Sequence, residues 1–360
     1  MRLAFLFLAL FAPVAAQAAD VAVPPAPVYR GQIVLPTGLK VAGAEFGGIS
    51  GLDYDPASDT FYAISDDRSE KAPARFYALK MTLGTDGISG LDIAESHALL
   101  ALNGEPFAAR SVDPEAIRLA AGRLIWSSEG DATGRPSITK ADLAGKGLGT
   151  FKLPDAFLPD EGAAGRGVRG NLGFEGLALS PDGTTLYAAT ENALLQDGDK
   201  ASLTAGSPAR LLVLDLAEGK VTGDYVYETE KIFQAPTLPG APADNGVSEI
   251  LALDAEHLVV VERSYVAGVG NHIAFFIVQL SGADDMSARP TIAGARPLSK
   301  ALWFKIDEGD FGGLDIDNIE AASWGPEIGG ERSLVIASDN NFNRHQSTQF
   351  LLFTVPNPAP

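Results

Sequence analysis

Acidic side chains recur in this sequence in pairs, each pair bracketing two short apolar runs. Glu115 opens the run Glu115-Ala116-Ile117-Arg118-Leu119, and Glu129 closes Leu124-Ile125-Trp126-Ser127-Ser128-Glu129. Glu175 and Glu191 stand in the same relation, as do Glu249 and Glu262, and Glu320 and Asp339. In the first copy Ser50 takes the leading position, and Asp66 and Asp67 end the second run. Gathered together, carboxylates can serve as general acid, general base or oxygen ligands to a hard cation. Cations and amides lie beside them: Arg68 follows Asp67, Arg263 follows Glu262, Arg169 and Asn171 precede Glu175, and Asn341 and Arg344 follow Asp339. Guanidinium forks take up phosphate or carboxylate oxygens in pairs.

The elements that carry these residues are β-strands. Helical periodicity is almost absent, and short apolar runs alternate with Gly, Pro, Asp and Asn clusters. The paired runs start at residues 50, 115, 175, 249 and 320, a longer period than the roughly 40–45 residues of a compact propeller blade. The surplus length is expected in loops and in outer strands such as Arg75–Leu79, Arg210–Leu214, Val221–Tyr227, Ala274–Val278 and Gln349–Phe353. These repeats predict an all-β fold, a β-propeller of five four-stranded antiparallel blades. A sixth blade stays open if one long gap hides a degenerate copy. Val28–Leu35, ahead of the first repeat, would supply the fourth strand of the last blade, closing the ring with both chain ends and removing sheet edges. The two free ends of a hairpin lie side by side, so both acids of each unit are expected at one mouth of the central channel.

Such a cluster cannot remain ionised and unpaired. At about 6 Å and an effective dielectric near 20, two like charges repel by roughly 3 kcal/mol. The cluster must therefore raise its pKa values or recruit a cation. Calcium, which takes about six to eight oxygen ligands in tolerant geometry, fits this donor set. Four histidines and no cysteine argue against zinc or copper. The metal-ligand set expected on this basis is Asp66, Asp67, Glu115, Glu129, Glu175, Glu191, Glu249, Glu262, Glu320 and Asp339. Glu175 or Glu249 would act as base, and Arg68, Arg169, Arg263, Asn171, Asn341 and Arg344 would hold an anionic substrate. Repeated glutamates can instead accept backbone N–H groups of the next blade, and the arginines can serve only to balance the acids. His272 and His345 read as surface loop residues. Nucleotide-loop, zinc-protease and EF-hand motifs are absent from the sequence.

A formal charge of -19 makes nucleic acid an ill-suited partner. Met1-Arg2, the apolar stretch Leu3–Val14 and Ala16-Gln17-Ala18 form a secretory leader pattern. The expectation is a signal peptide over 1–18, followed by a single domain over 19–360 with its core at about 28–356. The product would be a monomer exported to the periplasm or beyond. No later run is long enough to span a membrane.

Four segments carry a family resemblance: Gly48-Ile49-Ser50-Gly51-Leu52, Asn171-Leu172-Gly173-Phe174-Glu175-Gly176-Leu177, Val261-Glu262-Arg263 and Ala337-Ser338-Asp339-Asn340-Asn341-Phe342. The chain resembles, over about residues 40 to 355, the phytase-like domain family described as "esterase-like activity of phytase". That resemblance implies an exported propeller and hydrolysis of phosphoesters or esters. The better understood β-propeller phytases, calcium enzymes with an acidic top face, are similar in architecture. The leading expectation is thus a calcium-dependent hydrolase acting on a small anionic ester or phosphoester. Two others stand beside it: a glycoside hydrolase using paired channel carboxylates, with Phe174, Trp126 and Trp324 as candidate stacking platforms, and a non-catalytic binding or scaffold propeller.

Overall fold

In the computed structural model, which describes residues 21–160 and 165–357, five four-stranded antiparallel sheets follow one another along the chain. The predicted leader, 1–18, lies outside the described residues. Blade 1 comprises Ile49–Asp55, Thr60–Ser65, Arg75–Gly84 and Gly87–Ala98. Blade 2 comprises Pro114–Ala120, Arg123–Ser128, Ser137–Ala141 and Gly147–Thr150. Blade 3 runs through Phe174–Leu179, Thr185–Thr190, Pro208–Asp215 and Lys220–Glu228, and blade 4 through Ala243–Ala252, His257–Val266, Gly270–Gln279 and Ser299–Asp307. Blade 5 takes Asn318–Ile328, Glu331–Asp339 and Ser347–Val355, and its fourth strand is Val28–Pro36 from the other end of the chain. The fold is a five-bladed β-propeller. Among the described residues no helix is long and apolar enough to cross a membrane.

Alternation along the strands explains the sheets. Inward-facing Val, Ile, Leu and Phe from neighbouring blades interdigitate in five buried clusters, one at each blade interface. Turn chemistry closes the hairpins: Ala121 and Gly122 both have positive φ, 48° and 74°, the geometry of a two-residue turn whose twist matches the flanking strands.

The innermost strand of each blade is irregular at one place near its start, and that irregularity sets the site. Ser50, Glu175, Ser248 and Glu320 each bulge out of the pairing with the second strand, and Glu115 with Ala116 does so in blade 2. A bulge re-aims a side chain. The residue one place beyond the second strand's partner of each bulge is Asp66, Glu129, Glu191, Arg263 or Asp339. Blade 4 thereby corrects the repeat inferred from sequence. Its bulge is Ser248 rather than Glu249, and its ring position is Arg263 rather than Glu262. A one-residue slip turns every side chain to the opposite face.

Candidate functional site

The bulges and the ends of the second strands meet at one mouth of the channel and line a cavity of about 270 Å³. Nine carboxylates face it: Asp66, Asp113, Glu115, Glu129, Glu175, Glu191, Asp244, Glu320 and Asp339. Two arginines, Arg68 and Arg263, two asparagines, Asn171 and Asn341, and Leu172 complete the lining. All but two of these acids were legible from the repeat. Asp113 had a signal, since it lies two residues before Glu115 and so on the same face of an extended chain. Asp244 had none, because it projects from the upper end of the longer hairpin of blade 4.

The two arginines hold different positions in this field. Arg68 grips Asp113 with both arms, Nε to Oδ1 at 2.8 Å and Nη2 to Oδ2 at 2.6 Å, and also donates to Asn171 Oδ1. Arg263 stands among Glu191, Asp244 and Glu320 at 3.6–3.9 Å, and its buried Nε has no partner among the described residues. Burial and these three acids, opposed in effect, leave the Arg263 guanidinium more firmly protonated than usual.

The carboxylates are crowded enough to resist ionisation. Burial, then the charges of Glu320 and Asp113, pushes Asp66 up to about 7. Burial raises Glu129 to about 7 against the opposing pull of a shared hydrogen bond with Glu175. Glu115, Glu175, Glu191 and Asp339 rise well above the usual carboxylate range, through burial first and their acidic neighbours second, although Arg263 partly offsets the rise of Glu191. Ligand oxygens of Asp113, Glu115 and Glu129 converge within 4.8 Å of one another, and so do those of Glu129, Glu175 and Glu191. Glu129 belongs to both groups. The buried oxygens Asp66 Oδ1 and Asp339 Oδ2 find no hydrogen-bond partner among the described residues. An all-oxygen, anionic donor set with unspent acceptors is chemically fitted to a hard divalent cation.

Several residues expected at the mouth lie elsewhere. Glu249 sits deeper in the channel, where its Oε1 pairs with Arg118 at 2.8 Å and accepts the backbone N–H groups of Ile250 and Leu177. Arg118 in turn donates to the carbonyls of Leu52, Ile117 and Ile250, so this buried pair ties four blades together. Glu262 points away from the axis and accepts from Tyr227, the Glu230 backbone, Asn245 and Lys300 at 2.7–2.8 Å. Asp67 folds its own loop, receiving Arg75 and the backbone N–H groups of Glu70, Lys71 and Ala72. Arg169 is turned to the Gly198 carbonyl, and Arg344 is exposed beside His345. Blade stitching by carboxylates does occur: Glu129 accepts the N–H of Gly173 and Asp53 that of Leu119. Glu129 therefore combines a structural bond with its place in the cluster.

The three aromatic residues considered as sugar platforms are also displaced from the mouth. Trp126 and Phe174 are core residues, and Trp324 packs under Arg332 beside a second hollow lined by Asp53 and Arg118.

Comparison with known proteins adds one decisive observation. The family model for phytase-like proteins, "esterase-like activity of phytase", matches residues 44–342. The chain belongs to the phytase-like family. No curated protein matches it. Among solved structures, this phytase-like chain is similar to a thermostable family-43 glycoside hydrolase, with 13% identity, 91% of this chain and 98% of the other covered, and a TM-score of 0.47. It is similar to a bifunctional GH43-CE protein of Bacteroides eggerthii at 12% identity and a TM-score of 0.45, with 92% of this chain covered. It spans 34% of that longer protein. A PQQ-bound aldose sugar dehydrogenase from Streptomyces coelicolor gives 12% identity and a TM-score of 0.37, with 92% and 100% covered.

Proposed function

We propose that this phytase-like propeller is an exported, calcium-dependent hydrolase of phosphoesters or carboxylic esters, working at the acidic mouth. The observation that carries this reading is the convergence of two three-carboxylate groups on Glu129, next to buried oxygens of Asp66 and Asp339 that have no partner. Asp113, Glu115, Glu129 and Glu191 are the residues that would hold the cation, which leaves Glu175 beside them for proton transfer. When bound, calcium supplies a positive charge that polarises the ester oxygen and lowers the pKa of an attacking water.

The protein's own groups supply the rest. Arg263, held loosely at 3.6–3.9 Å by three acids, has an unspent Nε to offer a phosphoryl or carboxylate oxygen. Arg68 and Asn171 line the adjoining wall and restrict the pose. Glu175, whose hydrogen bond to Glu129 marks it as able to share a proton, takes the proton of the water as it adds, and returns it to the departing alcohol oxygen. The mouth lining includes no aromatic side chain among the described residues, so no stacking platform supports the sugar reading.

The test is metal content and calcium titration of the purified protein, together with hydrolysis of p-nitrophenyl phosphate and p-nitrophenyl acetate with and without chelator. Calcium-stimulated turnover of at least one ester is expected. Glu129→Gln is expected to weaken calcium binding by roughly tenfold or more. A metal-free native protein without chelator-sensitive activity on either ester rejects the reading.

A further inference from the structure

A second cavity among the described residues is larger than the mouth. A hollow of about 700 Å³ lies against blade 2, where the chain arriving from blade 1, Leu100–Val112, faces the chain that leaves blade 2, Thr150–Leu158; its size is within the roughly 300–1,000 Å³ range of small-molecule sites. Its origin is an interrupted blade. The fourth strand of blade 2, Gly147–Thr150, has 4 residues, while the fourth strands of the other blades have 9 or 12. Thr150 pairs with Thr139 and the Phe151 N–H reaches the Ile138 carbonyl, so on this side only Ser137, at the end of the third strand nearer the mouth, is left beyond the fourth strand. The chain then leaves through Phe151 and Leu153 and walls the gap.

The lining is apolar and aromatic: Leu100, Leu102, Phe107, Trp126, Phe151 and Leu158. Trp126 is 1% exposed and belongs to the core between the two blades. Trp303 and Trp324 spend their indole N–H groups on backbone carbonyls. The indole N–H of Trp126 makes no hydrogen bond to any described residue, and its ring faces this hollow. At the rim are two cations, Arg135 and Lys152, neither in an ion pair among the described residues. The nearby Asp131 carboxylate is spent on Thr133 and the Arg135 backbone.

The hollow and the mouth share a wall one residue thick. Val112 and Ser128 line the hollow, whereas their neighbours Asp113 and Glu129 line the mouth. The Asp113 N–H donates to Ser128 Oγ at 3.0 Å and locks the two sides of that wall.

We infer that this cavity binds an apolar, ring-bearing molecule carrying a hydrogen-bond acceptor. Resting on the proposed hydrolysis at the mouth, that molecule is the organic half of the ester, and the substrates are esters of bulky aromatic or alicyclic groups rather than of polyols. The ring lies against Phe107 and Trp126, its acceptor takes the indole N–H, and the ester end passes over the Asp113–Ser128 wall, outside its hydrogen bond, toward the carboxylates.

Trp126 makes the site readable without any turnover. In the native protein, titration with 1-naphthol is expected to give a saturable change in tryptophan fluorescence that disappears in Trp126→Phe, while myo-inositol gives none. Ser137→Phe, which fills the hollow, is expected to raise the Kd for naphthol at least about tenfold. Leu102→Glu, at a rim position 63% exposed where folding is not at stake, is expected to do so severalfold. On the activity side, kcat/KM for 1-naphthyl phosphate should exceed that for methyl phosphate, and both substitutions should erase that preference while leaving methyl phosphate unaffected. Absence of a saturable signal, or naphthol binding unchanged in both Ser137→Phe and Leu102→Glu, overturns the inference. Naphthol binding that these variants abolish, in a protein that hydrolyses neither phosphate ester, upholds the cavity and overturns the hydrolase reading alone.

Discussion

Glu249 and Arg118 show how burial separates a structural carboxylate from the cluster above it. Both side chains are almost fully buried, at 1% and 3% exposure, and burial raises Glu249 to about 7 although Arg118 pulls it down. Removing one partner of such a pair leaves an uncompensated charge, which costs about 3–5 kcal/mol. Glu249→Ala should therefore lower the free energy of urea unfolding by about that amount, with cation affinity at the mouth unchanged below the new melting range. The double substitution Arg118→Met with Glu249→Met should recover most of the loss, because well-packed apolar groups can replace a buried pair at little cost. A single variant with unaltered unfolding would show that the pair contributes no stability. Loss of cation binding in the folded variant would return Glu249 to the site.

At the scale of the element, the hairpin was plain in the sequence and its register was not. Alternating apolar residues, the Ala121-Gly122 and Ser180-Pro181-Asp182-Gly183 turns and the acids at matching ends suffice to predict five hairpins, a ring and a crowded mouth. Both ends of the chain in one blade followed from the missing fourth strand. Glu115, Glu129, Glu175, Glu191, Glu320, Asp339 and Asp66 reached the mouth because in those blades the acid itself sits in or beside the bulge. In blade 4 the sequence Val247-Ser248-Glu249 offers a tempting acid one residue late, and Val261-Glu262-Arg263 offers another one residue early. Nothing in hydrophobic alternation marks a bulge, since the extra residue is defined only by the partner strand. The residue that follows Ser50, Glu115, Glu175 and Glu320 does carry a signal, being Gly51, Ala116, Gly176 and Ala321 in the other four blades. There the inner strands approach so closely that a Cβ on Gly176 would lie 2.8 Å from Ile250 N and 3.0 Å from Glu249 C, both backbone atoms of the next blade. Gly176→Ala is thus expected to cost about 1–3 kcal/mol by overpacking, measured by denaturant unfolding. The same change at Gly183, where a Cβ meets nothing but φ is 69°, would act through backbone strain alone. A Gly176→Ala protein as stable as the native one would mean that the inner strands can separate without loss.

For the whole molecule the mouth couples folding to pH and to cations. Without a bound cation, Asp66 and Glu129 titrate near 7 in the folded chain, raised above their ordinary values by burial and neighbouring charge. Between the ordinary carboxylate range and pH 7 the folded state therefore holds protons that the unfolded state has released, and stability falls as pH rises through this window. A shift from 4.5 to about 7 at Glu129 corresponds to about 3 kcal/mol, present below pH 4.5 and lost by pH 7–8. Chelator-treated protein should accordingly melt lower at pH 8 than at pH 5.5, by about 5 °C or more. A cation bound by ionised carboxylates reverses the sign, because proton and metal compete for the same oxygens. With millimolar calcium the melting temperature should rise with pH across the same interval, and the gap between the calcium and chelator curves should widen from pH 5.5 to pH 8. Parallel curves would mean that calcium binds away from these carboxylates. A chelator-treated protein that becomes more stable toward pH 8 would mean that the ring is already ionised in the fold, with its charge balanced by Arg68 and Arg263 alone.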